Sequence, residues 1–299
     1  MTADAPRAAA ARLLVTGAGG MLGRDVVAAA RAAGHEVVAL ARAELDVTDA
    51  DAVARAVADA RPAAIVNCAA WTDVDGAEAD PEGARAVNAD APGHLARAAA
   101  AAGARLVHVS TDYVFDGARP ADAAPYVETD PTGPRSVYGA TKLAGEAAVA
   151  AAGGSHAIAR TAWLFGAHGR SFAATMLRLA GERGEVTVVD DQVGCPTATA
   201  HLAPALVALA VGAAAGLQGV VHLAGGGAPV SWCGFAREIF RQAGVDCRVR
   251  PCTTAEMPRP APRPAFSALA SARPDAPRLP DWRAGLTDYL ATIGKVPSP

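Results

Sequence analysis

With 299 residues, 52% of them hydrophobic, the chain can bury a sizeable core without covalent staples, as one large α/β domain or a large domain with a small lobe. A formal net charge of −3, carried with arginines that are scattered along the chain, excludes the basic footprint of a nucleic-acid-binding protein. Five cysteines without a Cys-x-x-Cys pair indicate neither a disulfide framework nor a zinc site, and no run of about 18 apolar residues offers a membrane span, so a cytoplasmic protein without membrane, nucleic-acid or metal partners is expected.

Residues 12–16 read as a buried strand, followed by Gly17-Ala18-Gly19-Gly20-Met21-Leu22-Gly23 and a helix from about 21 to 33. The spacing is Gly-x-x-Gly-x-x-Gly, with Gly17 for a tight turn, Gly20 for the approach of backbone N–H groups to a pyrophosphate, and Gly23 for packing of helix on strand. A second strand at 36–40 leads to a helix over about 49–60, with Thr48 as its expected cap. The first charged residue past that strand is Arg42, where an NAD-preferring site carries a carboxylate. Either Arg42 admits NADPH or it is a solvated loop arginine.

The third strand is expected over 63–70, then a helix over about 81–102. The fourth, 105–109, ends in Ser110-Thr111-Asp112-Tyr113-Val114-Phe115-Asp116-Gly117. Alternating strands and helices predict a doubly wound parallel sheet of Rossmann type, whose ligands bind beyond the carboxyl ends of the strands. The glycine loop, Ala69 to Trp71, and Thr111 all fall at that edge.

The next helix opens with Ser136-Val137-Tyr138-Gly139-Ala140-Thr141-Lys142. Residues four apart share one helix face, so the Tyr138 phenol and the Lys142 ammonium can address one point in a cleft, and a nearby cation favours phenolate. Lys142 and Lys295 are the only lysines among 27 basic residues, and with four tyrosines a chance pair at this spacing is expected only about 0.03 times. A compact ammonium is required here where a guanidinium serves elsewhere. The competing reading is a helix with one exposed lysine and a half-buried tyrosine.

A fifth strand at 156–160 ends in Thr161-Ala162-Trp163, after which the alternation breaks. Helices are expected at 172–180, 201–211 and 232–243, the last behind a Ser231 cap, and strands at 186–189 and 220–223. Residues 253–280 are proline-rich and irregular, and a closing helix spans about 281–293. The expected division is a dinucleotide-binding domain from 8–165 and about 199–245, a smaller substrate lobe from about 166–198 and 246–285, and a closing helix and tail over 286–299. Pro258 to Pro264 could instead be a disordered linker.

These residues together resemble the extended short-chain dehydrogenase/reductase superfamily and, over nearly the whole length, its dTDP-4-dehydrorhamnose reductase family. The resemblance rests on Gly17 to Gly23, Glu44 to Asp49, Val66 to Thr72, Ser110 to Gly117, Tyr138 to Glu146, Arg160 to Trp163, Asp191 to Thr197 and Arg263 to Ser267. It implies a catalytic triad of Thr111, Tyr138 and Lys142, with Lys142 lowering the phenol pKa and holding the nicotinamide ribose. Gly20, Met21 and Leu22 would meet the pyrophosphate, Asp46 and Val47 would border the adenine, Ala69, Ala70 and Trp71 would line the ribose region, and Val109 would lie along the cofactor. Thr111, Asp112 and Trp163 would touch the sugar. The implied reaction is reduction of the C4 ketone of dTDP-4-dehydro-β-L-rhamnose with NADPH or NADH, by a monomer or homodimer.

A 4,6-dehydratase of the superfamily needs a further acid, and here Asp112 is followed by Tyr113. A reductase of another NDP-4-ketohexose and a catalytically silent cofactor-binding subunit are the remaining alternatives. Arg259 or Arg263 is the expected diphosphate ligand. Asp25 is a conceivable metal-site position, although a solvated helix charge is the simpler reading. His94, His108, His201 and His222 show no ligand spacing and read as core or surface residues.

Overall fold

The computed structural model describes residues 10–295; positions 8 and 9 of the expected dinucleotide domain and the tail 296–299 lie outside the described residues. Leu13, Leu14 and Val15 in β1 (Arg12–Thr16) are fully buried, as a strand covered on both faces requires. The glycine turn leads into α1 (Met21–Ala32), then β2 (Glu36–Leu40), α2 (Ala50–Ala60) and β3 (Ala64–Asn67). Three helical pieces follow, α3 (Val74–Ala79), α4 (Pro81–Arg85) and α5 (Ala91–Ala101), the last two joined by a π-turn at Ala86–Asp90. Then come β4 (Arg105–Thr111), α6 (Val137–Ala151), β5 (His156–Thr161), β6 (Leu164–Phe165), α7 (Phe172–Glu182), β7 (Glu185–Val189), β8 (Val193–Gly194), β9 (Thr197–Ala198) and α8 (Thr199–Val211). The chain closes with β10 (Gly219–His222), β11 (Val230–Ser231), α9 (Trp232–Ala243), β12 (Arg248–Cys252) and α10 (Trp282–Thr292).

Six strands form one parallel sheet in the order β2-β1-β3-β4-β5-β10. Alternate residues of each strand point to opposite faces. Leu13, Val15, Val66 and Val107 pack beneath α1 and α8, while Leu14, Ile65, Leu106 and Ile158 pack beneath α2, α5 and α6. Strand order reverses between β1 and β3, and that switch point is where an open α/β sheet leaves a crevice. Beyond the sheet, short pairs β7–β12, β8–β11 and β6–β9 lie with α7, α9 and α10 around a core of Phe165, Phe235, Ile239, Trp282 and Leu286.

Several local expectations are corrected. The third strand stops at Asn67, and the fourth runs two residues further, to Thr111. The helix expected over 81–102 is broken because Pro92 has no N–H to give the Asn88 carbonyl, so the ladder slips into a π-turn. The N-cap of α2 is Asp49, whose carboxylate accepts from Ala52 N at 2.9 Å; the Thr48 hydroxyl instead donates to Asp46 at 2.7 Å. Pro258 to Pro264 is not a linker: Ala261 is buried, Arg263 pairs with Asp75 at 2.9 Å, and the Gly117 carbonyl accepts from Ala265 N and Phe266 N, both at 3.1 Å. Ser231 caps α9 as expected, accepting from Gly234 N at 3.0 Å.

Candidate active site

Two adjoining cavities open along the carboxyl edge of the sheet. One, of about 720 Å³, is lined by Gly17, Gly20, Arg42, Asp46, Val47, Ala69, Ala70 and Trp71. The other, of about 590 Å³, is lined by Gly20, Met21, Leu22, Gly23, Val109, Thr111, Asp112, Tyr138, Lys142 and Trp163. The fold therefore gathers the expected catalytic, cofactor and sugar-contacting residues into one cleft, with Gly20, Cys68, Ala70 and Thr72 shared at its waist.

The first cavity is shaped by backbone. Gly17 has φ +65, and a Cβ there would sit 2.6 Å from Ala69 N, so the loop and the end of β3 touch directly. A Cβ on Gly23 would lie 2.2 Å from the Gly17 carbonyl. Asp49, Ser136, Ser171 and Ser231 each cap their own helix with a side-chain oxygen, whereas α1 begins behind Gly20, which has none, and has no acid in its first turn. Its first amides are left for an anion. The residues present thus fit a dinucleotide: the uncapped start of α1 lies at the junction of the two cavities, and the exposed Arg42 lines the first.

Two buried asparagines hold the far wall. Asn88, placed by the π-turn, accepts from Trp71 N at 2.9 Å and donates to Trp71 O at 3.0 Å. Gly145 of α6 lets this turn approach, since a Cβ there would fall 2.1 Å from the Asn88 carbonyl. Asn67 Oδ1 accepts from the Thr16 hydroxyl at 2.7 Å and from Ala69 N at 3.0 Å. The sequence assigns neither residue a role, although Asn67 lies in the Val66 to Thr72 run; for Asn88 the available signal is Pro92, four residues on.

In the second cavity Ser136 caps α6, accepting from Gly139 N at 3.1 Å, and so sets Tyr138 and Lys142 beside the end of β4. Tyr138 and the Thr111 hydroxyl line the same cavity, and the phenol ring lies edge-on to Tyr113, with ring centroids 5.4 Å apart. Burial pushes the Tyr138 phenol up to about 12, with Thr111 lowering it and the Asp112 charge raising it. Any lowering by Lys142 is outweighed by burial here; Lys142 Nζ itself donates to the Val109 carbonyl at 2.7 Å. Burial lowers the Lys142 ammonium itself to about 8, against smaller opposing effects of Glu146 and Cys68.

Asp112 is 2% exposed, accepts from the Thr111 hydroxyl at 3.0 Å, and has an Oδ2 with no partner among the described residues. Burial raises it to about 6. Trp163, held at φ +50, stacks face to face on Trp232 at 3.4 Å, and Gly194 leaves room beneath its indole. Trp232 and Arg170 also line this cavity, and sequence reading missed both. Neither Arg259 nor Arg263 lines either cavity, Arg263 being tied to Asp75. Asp25 faces His168 at 3.7 Å, and no group of three or more metal-ligating side chains occurs among the described residues. No helix among those residues is long and apolar enough to cross a membrane.

Residues 11–294 match the family model described as RmlD substrate binding domain. The chain is 49% identical to a dTDP-4-dehydrorhamnose reductase of Streptomyces griseus, over 96% of each chain. It is 50% identical to one of Mycobacterium tuberculosis, over 94% of this chain and 92% of that protein. It also superimposes on a crystal structure of a dTDP-4-dehydrorhamnose reductase of Bacillus anthracis in complex with NADP, with a TM-score of 0.89 and 35% identity, covering 95% of this chain and 99% of the other.

Proposed function

The chain belongs to the RmlD substrate binding domain family, and on that premise we propose that it is a dTDP-4-dehydrorhamnose reductase, an NAD(P)H-dependent oxidoreductase acting on a dTDP-sugar. The reaction is reduction of the C4 ketone of dTDP-4-dehydro-β-L-rhamnose to dTDP-β-L-rhamnose. The observation that carries this reading is the meeting of Thr111, Tyr138 and Lys142 in a cleft whose other arm fits a dinucleotide.

A bound nicotinamide supplies the hydride, and the protein supplies orientation and the proton. Tyr138 enters as the neutral phenol, which is the form a reduction needs, because the ketone oxygen must gain a proton as it becomes a hydroxyl. Thr111 donates to the same oxygen and stabilises its developing charge. Lys142, with spare N–H donors, holds the ribose. Gly17 to Gly23 cradle the pyrophosphate, Arg42 takes the 2′-phosphate of NADPH, Asp46 and Val47 border the adenine, and Ala69 to Trp71 and Val109 flank the ribose and nicotinamide. Asp112 accepts from a sugar hydroxyl through its unpartnered Oδ2, and Trp163 covers the sugar ring.

The test is NADPH and NADH oxidation with enzymatically prepared dTDP-4-dehydrorhamnose, with the sugar product identified by NMR. Turnover to dTDP-rhamnose is expected. Turnover only with a different 4-ketohexose nucleotide would move the assignment to another ketoreductase, and cofactor binding without turnover of any of them would make the chain a silent subunit.

A further inference from the structure

His108, fully buried on β4 beside Lys142, has no part in the reaction described above. The Ala69 amide can only donate, so its bond to Asn67 Oδ1 fixes that side chain's orientation and leaves Asn67 Nδ2 to donate to His108 Nδ1 at 3.0 Å. Burial first, and then the Lys142 charge, keep the imidazole neutral. With Nδ1 committed as an acceptor, its single hydrogen sits on Nε2, which lies 3.5 Å from Lys142 Nζ. Two donors face each other there. Among the described residues the Val109 carbonyl is then the sole protein acceptor for an ammonium that is only 2% exposed and has three hydrogens to place.

No other side chain among the described residues accepts from Nζ. Glu146, on the same helix, is already engaged by the Ser110 hydroxyl at 2.5 Å and by Arg160 at 2.6 and 2.9 Å. The Cys68 thiol, pushed up by burial to about 12, is uncharged, as is Tyr138. Asp112 accepts from Thr111. We propose that binding of a dinucleotide takes up a proton at Lys142, and that His108 is the positioning residue that makes this so by withholding an acceptor from the ammonium in the free cleft. This rests on the dinucleotide-binding reading of the cleft and not on the identity of the sugar. The free lysine, lowered to about 8, is half deprotonated near that pH. Ribose hydroxyls entering the cleft bring the missing oxygen acceptors, favour the ammonium and draw a proton from the buffer.

NADH lacks the titrating 2′-phosphate and is the probe, added to the free protein in a calorimeter at about pH 8 in buffers of different ionisation enthalpy. Uptake of about half a proton per NADH is expected, following the half-protonated lysine. Lys142→Gln should bind NADH without uptake. His108→Gln puts an amide carbonyl within reach of the ammonium, and Asn67→Asp reverses the imidazole so that Nε2 accepts; both raise the free lysine's pKa and should reduce the uptake towards zero. Either variant suffices if the other does not fold. NADH binding to the wild type with no uptake, or uptake unchanged in a folded His108 or Asn67 variant, would overturn the proposal. Binding of neither NADH nor NADPH would instead remove the dinucleotide reading on which it stands, and the proposal with it.

Discussion

The dinucleotide arm of the cleft is formed by backbone, at Gly17, Gly20, Gly23 and the chain turn at Ala69, whereas the sugar arm is formed by side chains delivered from β4, α6, the Trp163 turn and the start of α9. The first arm leaves no room for a Cβ at Gly17 or Gly23. The second depends on which rings and carboxylates meet, so it can change substrate without changing fold.

Breaking the backbone arm should have the largest effect. Gly23→Ala drives a Cβ onto the Gly17 carbonyl, and a few kcal/mol of strain or displacement should weaken NADPH about a hundredfold, read by fluorescence titration, with no selective change in sugar-nucleotide affinity.

Asp112→Asn separates stability from function in the side-chain arm. Burial raises the folded-state pKa to about 6 from the usual 3.8, so the native state holds this proton more tightly than the unfolded chain. The resulting stabilisation is present below about pH 4 and is lost as pH rises through about 6. Asparagine mimics the protonated form, so the variant should gain as much as about 3 kcal/mol at neutral pH in urea unfolding and lose this part of the pH slope, while its KM for the sugar nucleotide rises. Equal stability of the two proteins at pH 7 would contradict this account of Asp112.

Smaller effects should divide between the arms. Trp232→Ala removes the partner of Trp163 and should raise the sugar-nucleotide KM about tenfold, leaving cofactor affinity unchanged. Arg42→Ala should do the reverse, reducing the preference for NADPH over NADH by about tenfold without touching the sugar. A variant that moved both affinities would mean that the arms are coupled through the shared waist at Cys68 and Ala70.

The same contrast explains what could be read in the sequence. Gly17 to Gly23 and the Tyr138–Lys142 pair are local patterns whose spacing carries their geometry, and the strand–helix alternation through β5 placed both at one sheet edge. Trp232 and Arg170 belong to the breaks in that alternation, and only the packing of α7 and α9 against Phe165 brings them to the cleft. Asn88 sits where Pro92 interrupts a helix that the pattern alone continues. His108 looked like a core residue because its chemistry lies in the tautomer that Asn67 imposes. Helix spacing puts a cation near the Tyr138 phenol without showing how deeply both groups are buried. At the phenol the effect of burial is the larger and decides the pKa.

The central claim, that both arms serve one hydride transfer to a sugar ketone protonated by Tyr138, is tested most directly with NADPH carrying deuterium at both positions of nicotinamide C4. With dTDP-4-dehydrorhamnose the account predicts deuterium at C4 of the rhamnosyl product. It also predicts a rate reduced about 10²- to 10⁴-fold in Tyr138→Phe while NADPH still binds. Product without deuterium at C4, or a Tyr138→Phe rate equal to wild type, would contradict it.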